Sequence, residues 1–370
     1  MAPRKSNNLV ATLKALQDTP EEAIVAAGMR EERQMISAAV PSPTLINRYR
    51  PNFINGYNID TASVMDAVKK GLNVLAVGDK GGGKSSFMFF IVDELNEPTR
   101  VKNREIYARN VKLIEAGKDE SALEQYYSLP YPVAHLGCGS STRVESLIGT
   151  LKFRATENGR EPYTVYGAVV DAWVNGKILI IDELDMATPD VWGEVHQFFD
   201  GTTEETVLYI NGPEVIRKNP KFRVLATANT FGLGEDQMGF AGTQLLNGAL
   251  LDRFNYKLSF PYLNPDKEVE ALLKNHPDAW KEAVIKMVVS ANKIREAKNS
   301  GTITETLSTR KLMAWVSECI SREKRLAASG INARSSIDGY WAKVVIPAAQ
   351  PTYLCGNPDA LTVQTYLELR

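Results

Sequence analysis

Eight consecutive residues, Gly78-Asp79-Lys80-Gly81-Gly82-Gly83-Lys84-Ser85, place glycines, a lysine and a hydroxyl in the spacing G-x-x-x-x-G-K-[ST]. That combination suits polyphosphate. The glycines let successive backbone N–H groups turn inward onto phosphate oxygens. Lys84 would then reach the β- and γ-phosphates, and Ser85 would ligate a magnesium ion, with Ser86 next to it in the same turn. A glycine-rich turn matches this pattern by chance at roughly one in a hundred in a chain of this length. Context sharpens it. The apolar run Leu72 to Val77 precedes the motif as a strand, and a helix is predicted to open behind it over Ser85 to Leu95. Residues Gly78 to Ser86 are therefore expected to bind ATP with Mg²⁺.

A second constellation completes the chemistry. The strand Ile178-Leu179-Ile180-Ile181 ends in Asp182-Glu183. Asp182 would hold the magnesium shell through water, and Glu183 would orient and deprotonate the attacking water. An Asp-Glu pair at a strand end is by itself usually solvated, but downstream of a phosphate loop it reads as hydrolytic. A third strand ends at Ala228-Asn229-Thr230, where the Asn229 amide could hold the lytic water or simply form a turn. Arg253, in Asp252-Arg253-Phe254, is either an arginine finger for a neighbouring subunit or a partner of Asp252. Arg310, at the start of a helix after Ser308-Thr309, either touches the nucleotide or is an ordinary first-turn residue.

The elements that position these groups alternate. Strands are read at Leu72–Val77, Tyr131–Leu136, Ile178–Ile181 and Phe222–Thr227, with helical stretches between them. Such alternation, with uninterrupted apolar strands, predicts a mostly parallel sheet covered on both faces. A short helix is expected from about Thr61 to Lys70. An earlier one follows the capping box Thr19-Pro20-Glu21-Glu22, and residues 41–58 read as an extended lead-in. Two segments interrupt the pattern: a charged, helical-toned insertion at about 97–130, and a hairpin at about 152–166 signalled by Asn158-Gly159. On that hairpin Tyr163 and Tyr166 are an odd number of residues apart, so a regular strand puts them on opposite faces: either one is free to grip a partner, or both pack the hairpin onto its own domain. Beyond Pro265 the pattern is helical.

Composition narrows the setting. The 370 residues carry 43 basic and 44 acidic side chains, a formal net charge of −1, which argues against a nucleic-acid partner. Hydrophobic residues at 44% and charged residues at 24% are the balance of a globular protein. Cys138, Cys319 and Cys355 are too far apart for a zinc or disulfide framework, so a reducing, cytoplasmic setting is expected. The most apolar run, Phe87 to Val92, is too short to cross a membrane.

The order of these elements resembles the AAA+ ATPases. Within them it is most similar to the MoxR branch and to the CobS-type subunits of aerobic cobaltochelatase. The residues that carry the resemblance are the tract Phe222 to Gly234, Gly242-Thr243-Gln244, Asp252-Arg253-Phe254, Glu145 to Gly149, Asp182-Glu183-Leu184-Asp185 and Gly212 to Pro220. The resemblance implies an α/β fold: an AAA+ P-loop NTPase core, a parallel sheet flanked by helices, with a smaller C-terminal helical lid domain. It divides the chain into an N-terminal helical extension (1–45), the core (46–262) and the lid with a C-terminal extension (263–370). It implies Walker A roles for Lys84 and Ser85 and Walker B roles for Asp182 and Glu183. Asn229 would be sensor 1, Arg253 the arginine finger and Arg310 sensor 2. It also implies a homo-oligomeric, hexameric ring that remodels a protein partner, either a von Willebrand A-type or a chelatase-like subunit. The 97–130 insertion and the segment beyond about Ala327 stand outside the resemblance. Two other readings are a nucleic-acid translocating motor and a slow, nucleotide-gated assembly scaffold.

Overall fold

The computed structural model describes residues 59–117, 120–156, 159–229, 244 and 246–368. The expected Thr19 helix, the 41–58 lead-in, Asn158, Thr230 and the rest of the tract through Thr243 lie outside the described residues. The described chain forms two compact units, residues 92–132 and the remainder.

In the larger unit the strands are β1 (Val74–Val77), β2 (Val133–Gly137), β3 (Gly149–Thr156), β4 (Gly159–Tyr166), β5 (Ile178–Asp182), β6 (Glu205–Tyr209), β7 (Pro213–Arg217), β8 (Arg223–Ala228) and β9 (Tyr256–Ser259). Five of them make one sheet in the order β2-β5-β8-β1-β9, and every pairing in it is parallel. Strand β1 is apolar throughout and β5 is apolar up to Asp182; Val74 to Val77 and Ile178 to Ile181 are all buried, as a strand covered on both faces requires. Register decides where chemistry can occur. Val77 is level with Ala228 and with Ser259, and Gly137 is level with Asp182. The carboxyl ends of β1, β2, β5 and β8 therefore meet along one edge of the sheet, where open α/β sheets bind ligands.

Helices α1 (Thr61–Lys69), α2 (Lys84–Glu115), α3 (Val144–Leu147), α4 (Ala168–Asn175), α5 (Pro189–Val195) and α6 (Gly248–Leu251) accompany the strands. Trp173 of α4 meets Phe198 edge-on at 5.4 Å inside the core beneath β5 and β8. Two hairpins leave this body. In the first, β3 and β4 pair from Gly149↔Tyr166 to Thr156↔Gly159, so its strands are longer than the 152–166 stretch read from sequence. Tyr163 lies 5.9 Å from the Arg154 guanidinium carbon, whereas Tyr166 packs on the core and donates to Glu214 on the second hairpin, β6–β7. The apolar side chains left outermost on the hairpins are Phe153 (63% exposed), Tyr209 (79%) and Val215 (62%).

From Pro265 the chain is helical: α7 (Pro265–Asn275), α8 (Lys281–Asn299), α9 (Thr309–Ala328), α10 (Ile337–Tyr340), α11 (Ile346–Ala349) and α12 (Ala360–Glu368). These share a second apolar core that includes Tyr353, Leu354, Val363 and Leu367, so the segment beyond Ala327 is an integral part of it. π-turns precede and follow α11. Pro347 has no N–H, which frees the carbonyl of Lys343, and the Arg322 Nε donates to it at 2.8 Å.

The smaller unit departs from expectation. Helix α2 does not stop near Leu95; it continues through Pro98 to Glu115. Asn96, Asn103 and Asn110 recur every seven residues, two helical turns, and so share a face. Each is buried and makes a pair of bonds to one residue of the returning segment. Asn96 bonds the carbonyl of Tyr131 at 2.8 Å and its N–H at 3.0 Å. Asn103 does so with Tyr127 at 2.9 and 2.8 Å, and Asn110 with Glu124 at 2.9 Å twice. The returning strap is thus held by its backbone.

Candidate nucleotide site

The glycine loop leaves β1 at the sheet edge. Gly78 is forced to be small, since a Cβ there would lie 2.3 Å from the Phe260 carbonyl oxygen. Gly81 and Gly83 adopt φ values of +73° and +100°, open to glycine without strain. The loop delivers Lys84 into the first turn of α2. The Lys84 ammonium is buried and donates to the carbonyls of Gly78 (2.6 Å) and Asp79 (2.9 Å) and to the Asn229 Oδ1 (3.2 Å). Burial pulls its pKa down to about 8, against the opposing pull of Asp185, Asp79, Asp182 and Glu183. Lys80 is exposed, Gly82 is buried, and Ser85 and Ser86 are half-buried behind the loop.

The Ser85 hydroxyl donates to the Asp182 Oδ1 at 2.6 Å, joining the glycine loop to the end of β5. Glu183 follows in the left-handed region at φ +57°, the one described non-glycine residue with positive φ. Such a backbone costs on the order of 1 kcal/mol or more and is typical of functional sites. It is pinned by its own N–H, which donates to the Thr227 Oγ1 at 3.0 Å, while that hydroxyl donates to Asp182 at 2.5 Å. Asn229, two residues further along β8's course, donates its N–H to the buried Asp185 at 2.8 Å. Its amide Nδ2 is buried and finds no hydrogen-bond partner among the described residues.

These groups fit a magnesium–nucleotide. The described chain has inward glycines, a lysine lodged on its own loop carbonyls, a hydroxyl–carboxylate pair and an unpartnered amide donor, all at one sheet edge. Cys138, whose N–H donates to the Asp182 carbonyl at 2.9 Å, borders the site as a neutral thiol; burial and then the nearby carboxylates push its pKa up to about 12.

The two arginines are placed differently. Arg310 is exposed at the start of α9, and its Cβ lies 3.3 Å from where a Cβ on Gly81 would stand. Arg253 is not near the loop. Its carbonyl accepts from Asn73 Nδ2 at 2.9 Å, at the amino end of β1, whereas the loop leaves the carboxyl end. The four residues of β1 separate Asn73 from Gly78, five strand steps or about 16 Å. The Arg253 guanidinium donates to the Ala249 carbonyl and lies 3.9 Å from Asp200, and its Nε is buried without a partner among the described residues. Asp252 is not its ion-pair partner.

Neither Thr227 nor Asp185 stands in a motif that assigns it a role. Thr227 carried a signal, since it lies two residues before Asn229 and so on the same face of the strand. Asp185 was visible in the Asp182 to Asp185 tract, but its bond across to Asn229 depends on tertiary pairing.

Sheet order, phosphate loop and carboxylate strand are those of the AAA+ P-loop fold, and the chain is similar to proteins of that class. The family model for the AAA domain of the dynein-related subfamily matches residues 116–254, a span that begins after the phosphate loop. Within the class the chain is CobS-like. It is 27% identical over 283 residues to the aerobic cobaltochelatase subunit CobS of a Sinorhizobium species, covering 75% of this chain and 74% of that one. It is also 26% identical over 208 residues to an uncharacterized protein of Staphylococcus haemolyticus, covering 56% and 74%. Among solved structures, a RuvB mutant of Thermotoga maritima aligns at a TM-score of 0.43 with 12% identity, over 79% of this chain and 68% of that one. No described helix is long and apolar enough to cross a membrane.

Proposed function

We propose that this chain binds ATP with Mg²⁺ at the β1–β5–β8 edge, hydrolyses it between subunits of a homo-oligomeric ring, and uses the cycle to remodel a protein partner. The observation that carries this reading is the network of Lys84, Ser85, Asp182, Thr227 and Asn229. It gathers a cation, a hydroxyl, a carboxylate and an unsatisfied donor around the glycine loop. On nucleotide entry Lys84 exchanges the Gly78 and Asp79 carbonyls for β- and γ-phosphate oxygens, a charge-assisted contact. Ser85 and Asp182 would hold magnesium, Asp182 through water, and that ion supplies positive charge between the phosphates. Asn229 Nδ2 fixes the attacking water, and Glu183 takes its proton. Arg310 meets the nucleotide from the helical region.

Arg253 serves the adjacent subunit. Its position at the far end of β1 supports this, because it could not attend its own loop without crossing the sheet. Residues 46–262 act as the ATPase core and 263–370 as its lid. The exposed apolar tips of the two hairpins are the natural grip on a partner, and the Tyr166–Glu214 hydrogen bond joins the two hairpins. Likeness to CobS supports a partner of the von Willebrand A or chelatase-subunit kind, a hexameric ring and a cytoplasmic setting.

Two variants test the chemistry. Lys84→Ala should lose tight binding of a fluorescent ATP analogue. Glu183→Gln should bind it with Mg²⁺ yet hardly turn ATP over. Wild-type affinity in the first variant, or wild-type turnover in the second, removes that residue from the site.

A further inference from the structure

Asp79 is a carboxylate inside a loop built for a polyanion, and its side chain is not left to solvent. Its Oδ1 lies 2.8 Å from the ammonium of Lys298, with both groups largely sheltered. The main-chain carbonyl of the same residue accepts from Lys84 at 2.9 Å. Asp79 therefore stands between two lysines: one expected to leave for the phosphates, the other fixed in the helical region 219 residues away.

Lys298 is in the last turn of α8, one turn after Arg295. Arg295 is anchored on all sides. Its guanidinium makes two bonds to buried Glu268 at 2.7 and 2.8 Å, one to the Leu307 carbonyl at 2.9 Å and one to Asn292 at 2.9 Å, beneath the Tyr262 ring at 4.0 Å. Glu268 also accepts from Thr309 at 2.6 Å, so α7, α8 and the start of α9 are clamped together. This clamped body touches the glycine loop a second time. A Cβ on Gly81 would lie 2.8 Å from the Ser308 hydroxyl oxygen and 2.9 Å from the Ser308 Cβ. Any shift in the loop at Asp79 or Gly81 is thus felt by three helices.

We infer that Lys298 is a positioning residue for ATP. Through Asp79 it neutralises the one carboxylate of the phosphate loop and links the loop's two states, Lys84 on the carbonyls or Lys84 on phosphate, to the placement of the C-terminal helices. This rests on the nucleotide reading of the loop. Without Lys298, the Asp79 carboxylate would face the incoming phosphates uncompensated, and the helices would lose one of their two holds on the loop.

The test is a double-mutant cycle on the full chain with a fluorescent ATP analogue, combined with hydrogen exchange of the first turn of α9. Lys298→Met should weaken binding on the order of tenfold, because the Asp79 carboxylate then repels the phosphates uncompensated. Lys298→Arg should keep most of the affinity. Adding Asp79→Asn to Lys298→Met should return most of the lost affinity, because the repelling charge is gone. That double variant should nevertheless show a smaller nucleotide-dependent change in α9 exchange than the wild type, because only the contacts of Ser308 and Arg310 then remain to relay it. If Lys298→Met melts like wild type and binds like wild type while Lys84→Ala does not bind, Lys298 has no such role and the nucleotide reading stands. If the double variant keeps the wild-type α9 response, the link is wrong. If Lys84→Ala itself binds normally, the nucleotide reading fails first.

Discussion

Raising the pH should weaken ATP binding through Lys84. In the free chain burial holds this ammonium's pKa near 8. At pH 7 it is about nine-tenths charged and at pH 9 about one-tenth. Bound phosphates favour the charged form, so binding above pH 8 must take up a proton. If Lys84 stays charged in the complex throughout this range, affinity falls about tenfold from pH 7 to pH 9, roughly 1.4 kcal/mol. The proton taken up per ATP rises from about 0.1 to about 0.9 over the same span. The phosphate's own ionisation lies near pH 6 and does not mask the effect. Calorimetric titration with a non-hydrolysable ATP analogue, in buffers of different ionisation enthalpy, reads the uptake directly. A binding enthalpy that shows no dependence on buffer at pH 9 would refute the reasoning: Lys84 would then be either fully charged before binding or absent from the phosphate contact.

Two further outcomes follow from the hydrogen-bond pattern. Thr227→Val deletes the hydroxyl that ties Glu183 to Asp182, so turnover should drop at least tenfold while nucleotide affinity changes little; an equal loss in both would mean the hydroxyl serves binding instead. Asn103→Ala leaves the Tyr127 N–H and carbonyl without their partners, at a cost of about 1–3 kcal/mol. Exchange of the Tyr127 amide should therefore quicken by roughly 5- to 150-fold, with the phosphate loop unaffected, and unchanged exchange would show that the strap is held some other way.

Much of the core was legible because its signals are local. Ile178 to Ile181 is an unbroken apolar run, which only a two-sided burial explains, and the glycine loop carries its chemistry in its spacing. The polar clamps were not legible. Asn96, Asn103 and Asn110 stand seven apart, but polar residues at helical spacing read as a solvated face, and Pro98 reads as a helix end. Pro347 lies in the first turn of α11 and Pro351 in the π-turn after it, with Arg322 occupying the carbonyl that Pro347 leaves free. The Arg295–Glu268–Thr309 cluster joins residues up to 41 positions apart, and nothing in local composition announces it. Glu183 was read from its place after a buried strand, but the left-handed backbone that aims it depends on Thr227, a partner 44 residues away.

Complementation tests most directly the proposal that two subunits make one catalytic site. Arg253→Ala and Glu183→Gln should each bind ATP and each be nearly inactive, since an arginine finger contributes about 10³–10⁵ in rate. Joined in tandem in the order that pairs an intact Glu183 with an intact Arg253, the two should regain turnover, while a tandem of two Arg253→Ala chains should not. If a tandem of wild-type chains hydrolyses ATP and neither order of the mixed tandem does, or if Arg253→Ala alone turns over at the wild-type rate, catalysis is not shared in this way.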